Sequence, residues 1–516
     1  MSDTAGRGFT VTEMAPMDQA IEVSTETVTA FVGRALRGPV NVPVLVRSVG
    51  EFRRRFGEVW SRSSLGPAVQ DFFEHGGNNL HVVRVANNAR GAMICLAASG
   101  SALILRALEP GSTENIRAAI DYDGIEPDDD LFNLTLQRVD PGTGRIIDQE
   151  MFRDASHSDN SHAFIGDRLL TSSLVQMESP YPGHRPEPTV GSGGQFAASY
   201  VGHAQKGTDG SELSDYDLIG SRRNETGLFA LQQIEQLDIL YLPPPGKGRD
   251  LGPAAVLVAE RYCGERGAML VVDPVVEWVT ATGAIHGVRD LGYASPNMVG
   301  YFPRVYRRDG DDSVARAAGG ALAGLLCKLD RCRGPWQDLD QQGMGLDRNL
   351  IAAVDIDESD ARSLARAGIN ALVKGPAGKT RLTGSVTMGR GAEAHREYSS
   401  LAVRRLCLRI VNAIDHGTRW AMFEADETEL AARVHSQVFA YLCCLDDLGA
   451  FENDRFVVQC NAGMRRRMDG LKHGVTILLE FHPVGCDEPI SFTLHQTVSG
   501  CRVARTAFPP VIDDCA

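Results

Sequence analysis

Several things are missing from this 516-residue chain, and each absence excludes a class of protein. No apolar run approaches the ~20 residues that a membrane-crossing helix needs. The start, "MSDTAGRGFTVTEM", has no basic segment followed by an apolar stretch, so no secretory signal is expected. Positive charge is in the minority, with 52 Lys and Arg against 66 Asp and Glu and a net charge of −14. That balance argues against a general nucleic-acid binder, which needs a basic surface. The eleven cysteines form no CxxC pair, and most sit in apolar runs, as Cys263, Cys407, Cys443 and Cys444 do. They read as buried, reduced thiols of an intracellular protein. No HExxH or Cys/His metal spacing occurs among the thirteen histidines, and no GxSxG elbow is present. No cofactor, metal or catalytic residue is assigned.

Two stretches test the exclusion of chemistry. "VKGPAGKT", residues 373–380, ends as a phosphate-binding loop ends. Such a loop begins with Gly, separated by four residues from the Gly-Lys-Thr, so that the backbone can curl round the phosphates, and a helix follows it. Here the first position is Val373, and "RLTGSVTMG" reads as turn and strand. A nucleotide-using enzyme built on Lys379 and Thr380 is therefore the alternative reading, and a turn between strands is preferred. The acidic "DYDGIEPDDD" places Gly124 directly after Asp123, which breaks a calcium-loop register and leaves a solvated loop.

What is present is an α/β pattern. "TAFVG", "PVLVRS" and "LHVVRVA" read as strands, separated by a helix capped by Ser48 with Glu51 and a second starting near Pro67. From Ala92 to Ser179 the alternating runs "LFNLTLQRVD" and "GRIIDQEMF" read as an inserted β module, closed by the linker "SPYPGHRPEPTVGSGG". A second α/β unit follows with "LDILYLP", "AMLVVDP" and "INALV" as strands. Its helix "SVARAAGGALAGLLCKL" is rich in small residues, which lets a neighbour approach closely. Near the end, Val403, Leu406, Cys407, Ile410 and Ile414 form the apolar face of one helix. Leu430, Val434, Val438, Tyr441, Leu442 and Leu445 form that of a second, with Asp426 and Glu429 as its cap. The strands "RFVVQC", "GVTILLEFHPV" and "ISFTLHQTV" come after it. The first residues and the last have extended character and too little apolar surface to order themselves alone, which suits arms that add strands to neighbouring subunits.

Taken in order, the blocks "TVTAFVGRALRGPVNVPVLVRSVGEFRRRFG", "LILRALEPGSTENI", "GTDGSELSDYDLIGSRRNETGLFALQQIEQLDILYLPPP", "ERYCGERGAMLVVDPVVEW" and "VRRLCLRIVNAIDHGTRWAMFEADETELAARVHSQVFAYLCCLDDLGAF" resemble the sheath proteins of contractile phage tails and phage-tail-like injection systems. The departures at Ala425 and Ala431, and "QDLDQQG" after "RGPW", imply a diverged paralogue working beside other sheath proteins. The resemblance implies an α/β multidomain subunit without enzyme activity. Its parts would be an N-terminal arm at 1–24, part of the α/β core at 25–90, an outer β-rich insertion at 91–180, a subtilisin-like α/β middle domain at 190–395, a tube-facing C-terminal α/β domain at 396–500 and a C-terminal tail at 501–516. It implies a homo-oligomer of stacked rings or a multi-start helix around an inner tube protein, with baseplate and cap or terminator proteins as further partners. Neither nucleic acid nor membrane insertion is expected. Assembly would take place in the bacterial cytoplasm, and the product would be a virion tail or a released particle. Phe9, Val11, Ile21, Val23, Ile490, Phe492 and Leu494 are assigned to inter-subunit arms, and Arg465, Arg466 and Arg467 in "MRRRMDG" to the tube-facing surface.

Overall fold

A computed structural model describes residues 20–126, 129–178, 183–189, 199–308, 314–340, 344–375, 378–391, 397–422, 427–461, 475–486, 488–497 and 500–504. The first strands come early: β1 (Thr29–Gly33), β2 (Val44–Val46) and β3 (Leu80–Arg84), with helices α1 (Val49–Phe56) and α2 (Leu65–Glu74) between the last two. Ser48 caps α1 by accepting from the Glu51 amide at 3.1 Å. Glu51 does not close the expected box, because its carboxylate accepts from the Arg47 amide instead, at 2.8 Å.

An all-β module follows, comprising β4 (Gly91–Ala98), β5 (Ser101–Pro110), β6 (Ile116–Asp121), β7 (Leu131–Val139), β8 (Ile146–Ser156), the short helix α3 (Ile165–Leu169) and β9 (Val175–Met177). The strands make two antiparallel three-stranded sheets, β4-β5-β9 and β6-β7-β8. Alternate residues Leu103, Leu105 and Ala107 of β5 point into one core with Ile116, Ala118 and Ile120 of β6 and Leu134 and Leu136 of β7. That period of two is what a half-buried antiparallel sheet requires.

The chain then runs through α4 (Asp215–Ile219), β10 (Ile239–Tyr241), α5 (Pro253–Arg266), β11 (Met269–Val272), α6 (Ala281–Asp290), β12 (Met298–Phe302), β13 (Val305–Arg307), α7 (Gly319–Arg333), β14 (Leu350–Ala352), α8 (Glu358–Arg366), β15 (Asn370–Lys374) and β16 (Thr380–Thr383). The two α/β segments expected from the sequence are one structure. An eight-stranded sheet has the order β16-β15-β12-β11-β10-β1-β3-β2, parallel from β15 to β3 with an antiparallel strand at each edge. Helices cover both faces, so the parallel strands are apolar throughout rather than alternating. Phe31, Tyr241 and Val271 face α2 and α7, while Ala30, Val32, Leu240 and Leu270 face α5, α6 and α8.

The final unit is α9 (Leu401–Gly417), α10 (Glu427–Asp447), β17 (Phe451–Asn461), β18 (Val475–Pro483), β19 (Ile490–Thr497) and β20 (Gly500–Ala504). The two apolar stripes read from the sequence meet each other and the sheet β17-β18-β19-β20 in one core. Asp426 lies outside the described residues, as does the side chain of Glu429. The nine cysteines whose side chains are described are free; Cys263 and Cys407 are buried as expected, and so is Cys327, but Cys443 is half-buried and Cys332 and Cys444 are exposed. Cys444 sits on the solvent side of α10, because Tyr441, Leu442 and Leu445 take the inward positions.

Candidate functional site

The near-match to a phosphate loop resolves into a hairpin. β15 pairs antiparallel with β16, Lys374 opposite Thr380, and the Gly375 amide donates to the Lys379 carbonyl at 2.7 Å. No helix follows to offer its N-terminus. The Thr380 hydroxyl is buried and engaged, donating to Leu350 O at 2.8 Å and accepting from the Ala352 amide at 3.2 Å. A P-loop Thr must reach a metal ion; this one closes the packing of β14 on β16. Among the described residues no His/Cys/Asp/Glu group has metal-site geometry, and no helix is long and apolar enough to cross a membrane.

The polar chemistry of the interior is concentrated where the three units join. One joint is built on Asp330 near the end of α7. Its Oδ2 accepts from the Thr27 hydroxyl at 2.6 Å, and its Oδ1 accepts from Arg405 of α9. Arg409, one turn on, places a guanidinium nitrogen 3.7 Å from Asp330 and donates to the carbonyls of Glu26 and Ser24 at 2.9 and 3.3 Å. The side chains of Asp330, Arg405 and Arg409 are 2%, 5% and 9% exposed. Burial works against the charge on Arg409, but Asp238 and Asp330 outweigh it and hold the guanidinium above its ordinary range. The Val28 amide completes the seam by donating to Asp238 at the head of β10, at 2.8 Å. Two further bonds fasten α9 to the sheet ends: Arg404 to Asn297 at 2.7 Å and Asn412 to the Gly267 carbonyl at 3.0 Å. The entry segment, the eight-stranded sheet and the C-terminal unit are thus stitched through buried, charge-assisted bonds, which are stronger than neutral ones.

The second joint holds the β module. Arg84, at the end of β3, is fully buried and donates to the carbonyls of Ala35, Gly38, Leu36 and Pro110 at 3.0, 2.6, 3.2 and 2.6 Å. Burial pulls its pKa down to about 10, so it remains a cation at neutral pH. Glu109, beside Pro110, accepts from the Gly38 amide at 3.0 Å and lies 3.4 Å from Arg138 of β7. Arg138 also donates to Glu114 at 2.8 Å and Asp148 at 3.0 Å. Burial pushes the Glu114 carboxyl up, and Arg138 offsets that only in part. These bonds run between residues of different units, so the clusters fix the units relative to one another.

Of the residues assigned to arms, Ile21 is buried against the C-terminal core, in contact distance of Gly417 on α9, and Val23 packs beside it. Ile490, Phe492 and Leu494 need a correction. They lie on β19, an inner strand bonded to β18 on one side and β20 on the other, and they are buried in the chain's own core with Phe481 and Ile477. A free arm would have left them unpartnered; the alternation that suggested an arm is that of a sheet strand with one covered face. Phe9, Val11, Arg465, Arg466 and Arg467 lie outside the described residues. The sequence reading missed the joints. Their signal was Arg405 and Arg409, four apart inside "VRRLCLRIV", an otherwise apolar helix.

No family model and no curated protein matches the chain. Solved structures do. A sheath tail protein from Listeria innocua superposes with a TM-score of 0.63 at 14% identity, over 93% of this chain and 96% of that one. A sheath tail protein from Desulfitobacterium hafniense gives 0.55 at 13% identity, covering 95% and 99%. The helical sheath of the anti-feeding prophage in its contracted state gives 0.53 at 14% identity, covering 95% and 98%. At these identities the likeness establishes the fold, and the fold is that of contractile tail sheath proteins.

Proposed function

We propose that the chain is a structural subunit of a contractile sheath, polymerising around an inner tube and driving it into a target when the sheath shortens. The observation that carries this reading is the match along nearly the whole chain, 93% of it, to a sheath tail protein of similar length. Energy in this scheme is stored as the difference between two packings of the same rigid subunits, and no nucleotide is consumed. The buried joints support it, because a subunit that transmits force must keep its units from sliding. The part of the parallel sheet within residues 190–395 would be the unit that the resemblance describes as subtilisin-like; the C-terminal unit would face the tube and the β module would face outward. Baseplate and cap proteins would bound the polymer, with a second sheath protein supplying other rings, and assembly would precede release from the bacterial cell.

Residues 1–24 serve in this reading as the linking arm, with Ile21 and Val23 as its anchor on α9, and the chain beyond β19 as its counterpart. Each backbone hydrogen bond in an exchanged strand contributes about 0.5–1.5 kcal/mol, so several keep neighbours attached while their bodies rotate. Arg465, Arg466 and Arg467 would grip an acidic tube surface. Two variants test these roles by electron microscopy. Removal of residues 1–20 is expected to leave folded subunits that form no regular sheath, and intact sheaths would refute strand exchange. Charge reversal at 465–467 is expected to keep the subunit soluble while abolishing co-assembly with tube; unchanged co-assembly would remove the tube contact from the scheme.

A further inference from the structure

The eight-stranded sheet has a break in its winding. From β1 the chain crosses by α1 and α2 to β3; from β10 it crosses by α5 to β11 on the opposite side. Connections therefore leave the β1–β10 boundary in opposite directions, and α2 and α5 lie on opposite faces. At such a boundary the strand ends cannot both be covered, and a crevice opens beyond their carboxyl ends. This chain has one there. A cavity of about 260 Å³ lies between Tyr241 at the end of β10, the start of α2, the loop 244–248 and the segment entering α7.

Its lining is divided. Val59, Trp60, Pro67, Ala68 and Pro244 give an apolar side. Lys247, Arg304 and Arg316 give a cationic side, against a single lining acid, Asp71. Arg316 donates to Asp71 at 2.6 Å through one terminal nitrogen, while its buried Nε has no hydrogen-bond partner. Arg304 is held by the Pro274 carbonyl at 2.8 Å and by Asp250 behind the wall, so its position is fixed in advance. The first turn of α2 carries no acid to cancel its dipole.

We infer that this switch-point cavity is a binding site for a small organic anion with an aromatic or apolar body, of the aryl phosphate or aryl carboxylate type. The anionic head sits among Lys247, Arg316 and Arg304, and the ring against Trp60 and the two prolines. The volume suits such a molecule: at ~30 Å³ per water it displaces on the order of nine waters. The site is independent of the sheath reading, since it is defined within one subunit.

Isothermal titration of the full chain with phenyl phosphate, benzoate and inorganic phosphate tests it. Saturable one-to-one binding of phenyl phosphate is expected, with inorganic phosphate at least tenfold weaker because it leaves the apolar side uncovered. Lys247→Glu, at an exposed position, should weaken phenyl phosphate at least tenfold while the protein stays folded. Gly246→Leu is a second variant: its added Cβ meets nothing nearer than 3.7 Å, so the fold accommodates it while the cavity shrinks. It should also weaken binding. Absence of saturable binding by either aryl anion, equal binding of inorganic phosphate, or aryl binding indifferent to both variants would each overturn the assignment.

Discussion

Replacing Asp330 by alanine is expected to destabilise the subunit by about 3–5 kcal/mol, the cost typical of breaking a buried ion pair. Among the described residues the carboxylate is the one acid contacted by both Arg405 and Arg409, whose side chains are 5% and 9% exposed. Without it two guanidiniums remain in the interior without the acid they share. Arg409 keeps its bonds to the carbonyls of Ser24 and Glu26, so the damage falls first on Arg405. Asp330→Asn retains an acceptor for Thr27 but not the charge, and should lie between wild type and alanine. The denaturant midpoint reads the effect. Arg222→Ala serves as the control, since its pair with Glu265 is 55% and 40% exposed, and exposed pairs contribute about 0–1 kcal/mol. A loss at Asp330 no larger than that at Arg222 would mean that the joint does not hold the units together.

The second large effect is of unusual sign. Gly320 and Gly324 lie inside α7, where alanine would ordinarily stabilise by about 0.5–1 kcal/mol. Here Gly324→Ala is expected to destabilise by about 1–3 kcal/mol, the typical cost of overpacking. A Cβ at 324 would stand 2.3 Å from the Phe72 carbonyl oxygen, and one at 320 would stand 2.3 Å from that of Ala68. Both obstacles are backbone atoms of α2, so relief requires the two helices to separate. Gly50 in α1 has only Ser48 Oγ at 3.9 Å, and Gly50→Ala should follow propensity and stabilise. Opposite signs for the two substitutions, measured by thermal or chemical unfolding, are the expected result. Stabilisation by Gly324→Ala would show that α2 and α7 do not pack as closely as described.

The small-residue run of α7 was legible as a close-approach surface because glycine and alanine have no other use at helical spacing in an apolar segment. The stripes of α9 and α10 were legible for the complementary reason: large apolar residues three and four apart can bury only one face. The same logic failed for β19. "ISFTLHQTV" alternates like any half-covered strand, and alternation cannot say whether the covering core belongs to the same chain or to another. Ile490, Phe492 and Leu494 were therefore assigned to an arm, and the structure puts them inside. The joining of β1–β3 with β10–β16 into one sheet was also beyond local pattern, since the β module separates the two halves in sequence and only pairing registers reunite them. The joints were hidden differently. Nothing in the sequence pairs Arg405 and Arg409 with Asp330, and their burial follows only from how α7 and α9 meet. The hairpin at Lys374–Thr380 was legible from Val373, where a phosphate loop needs glycine, and from the strand-like run that follows in place of a helix.

The central claim is that this chain is a polymerising mechanical subunit. Negative-stain electron microscopy of the purified full-length protein, alone and co-expressed with tube protein, tests it most directly. Regular striated tubes of uniform width, with no ATP consumed in forming them, are the predicted result. Discrete monomers at all concentrations, with or without tube, would contradict the account.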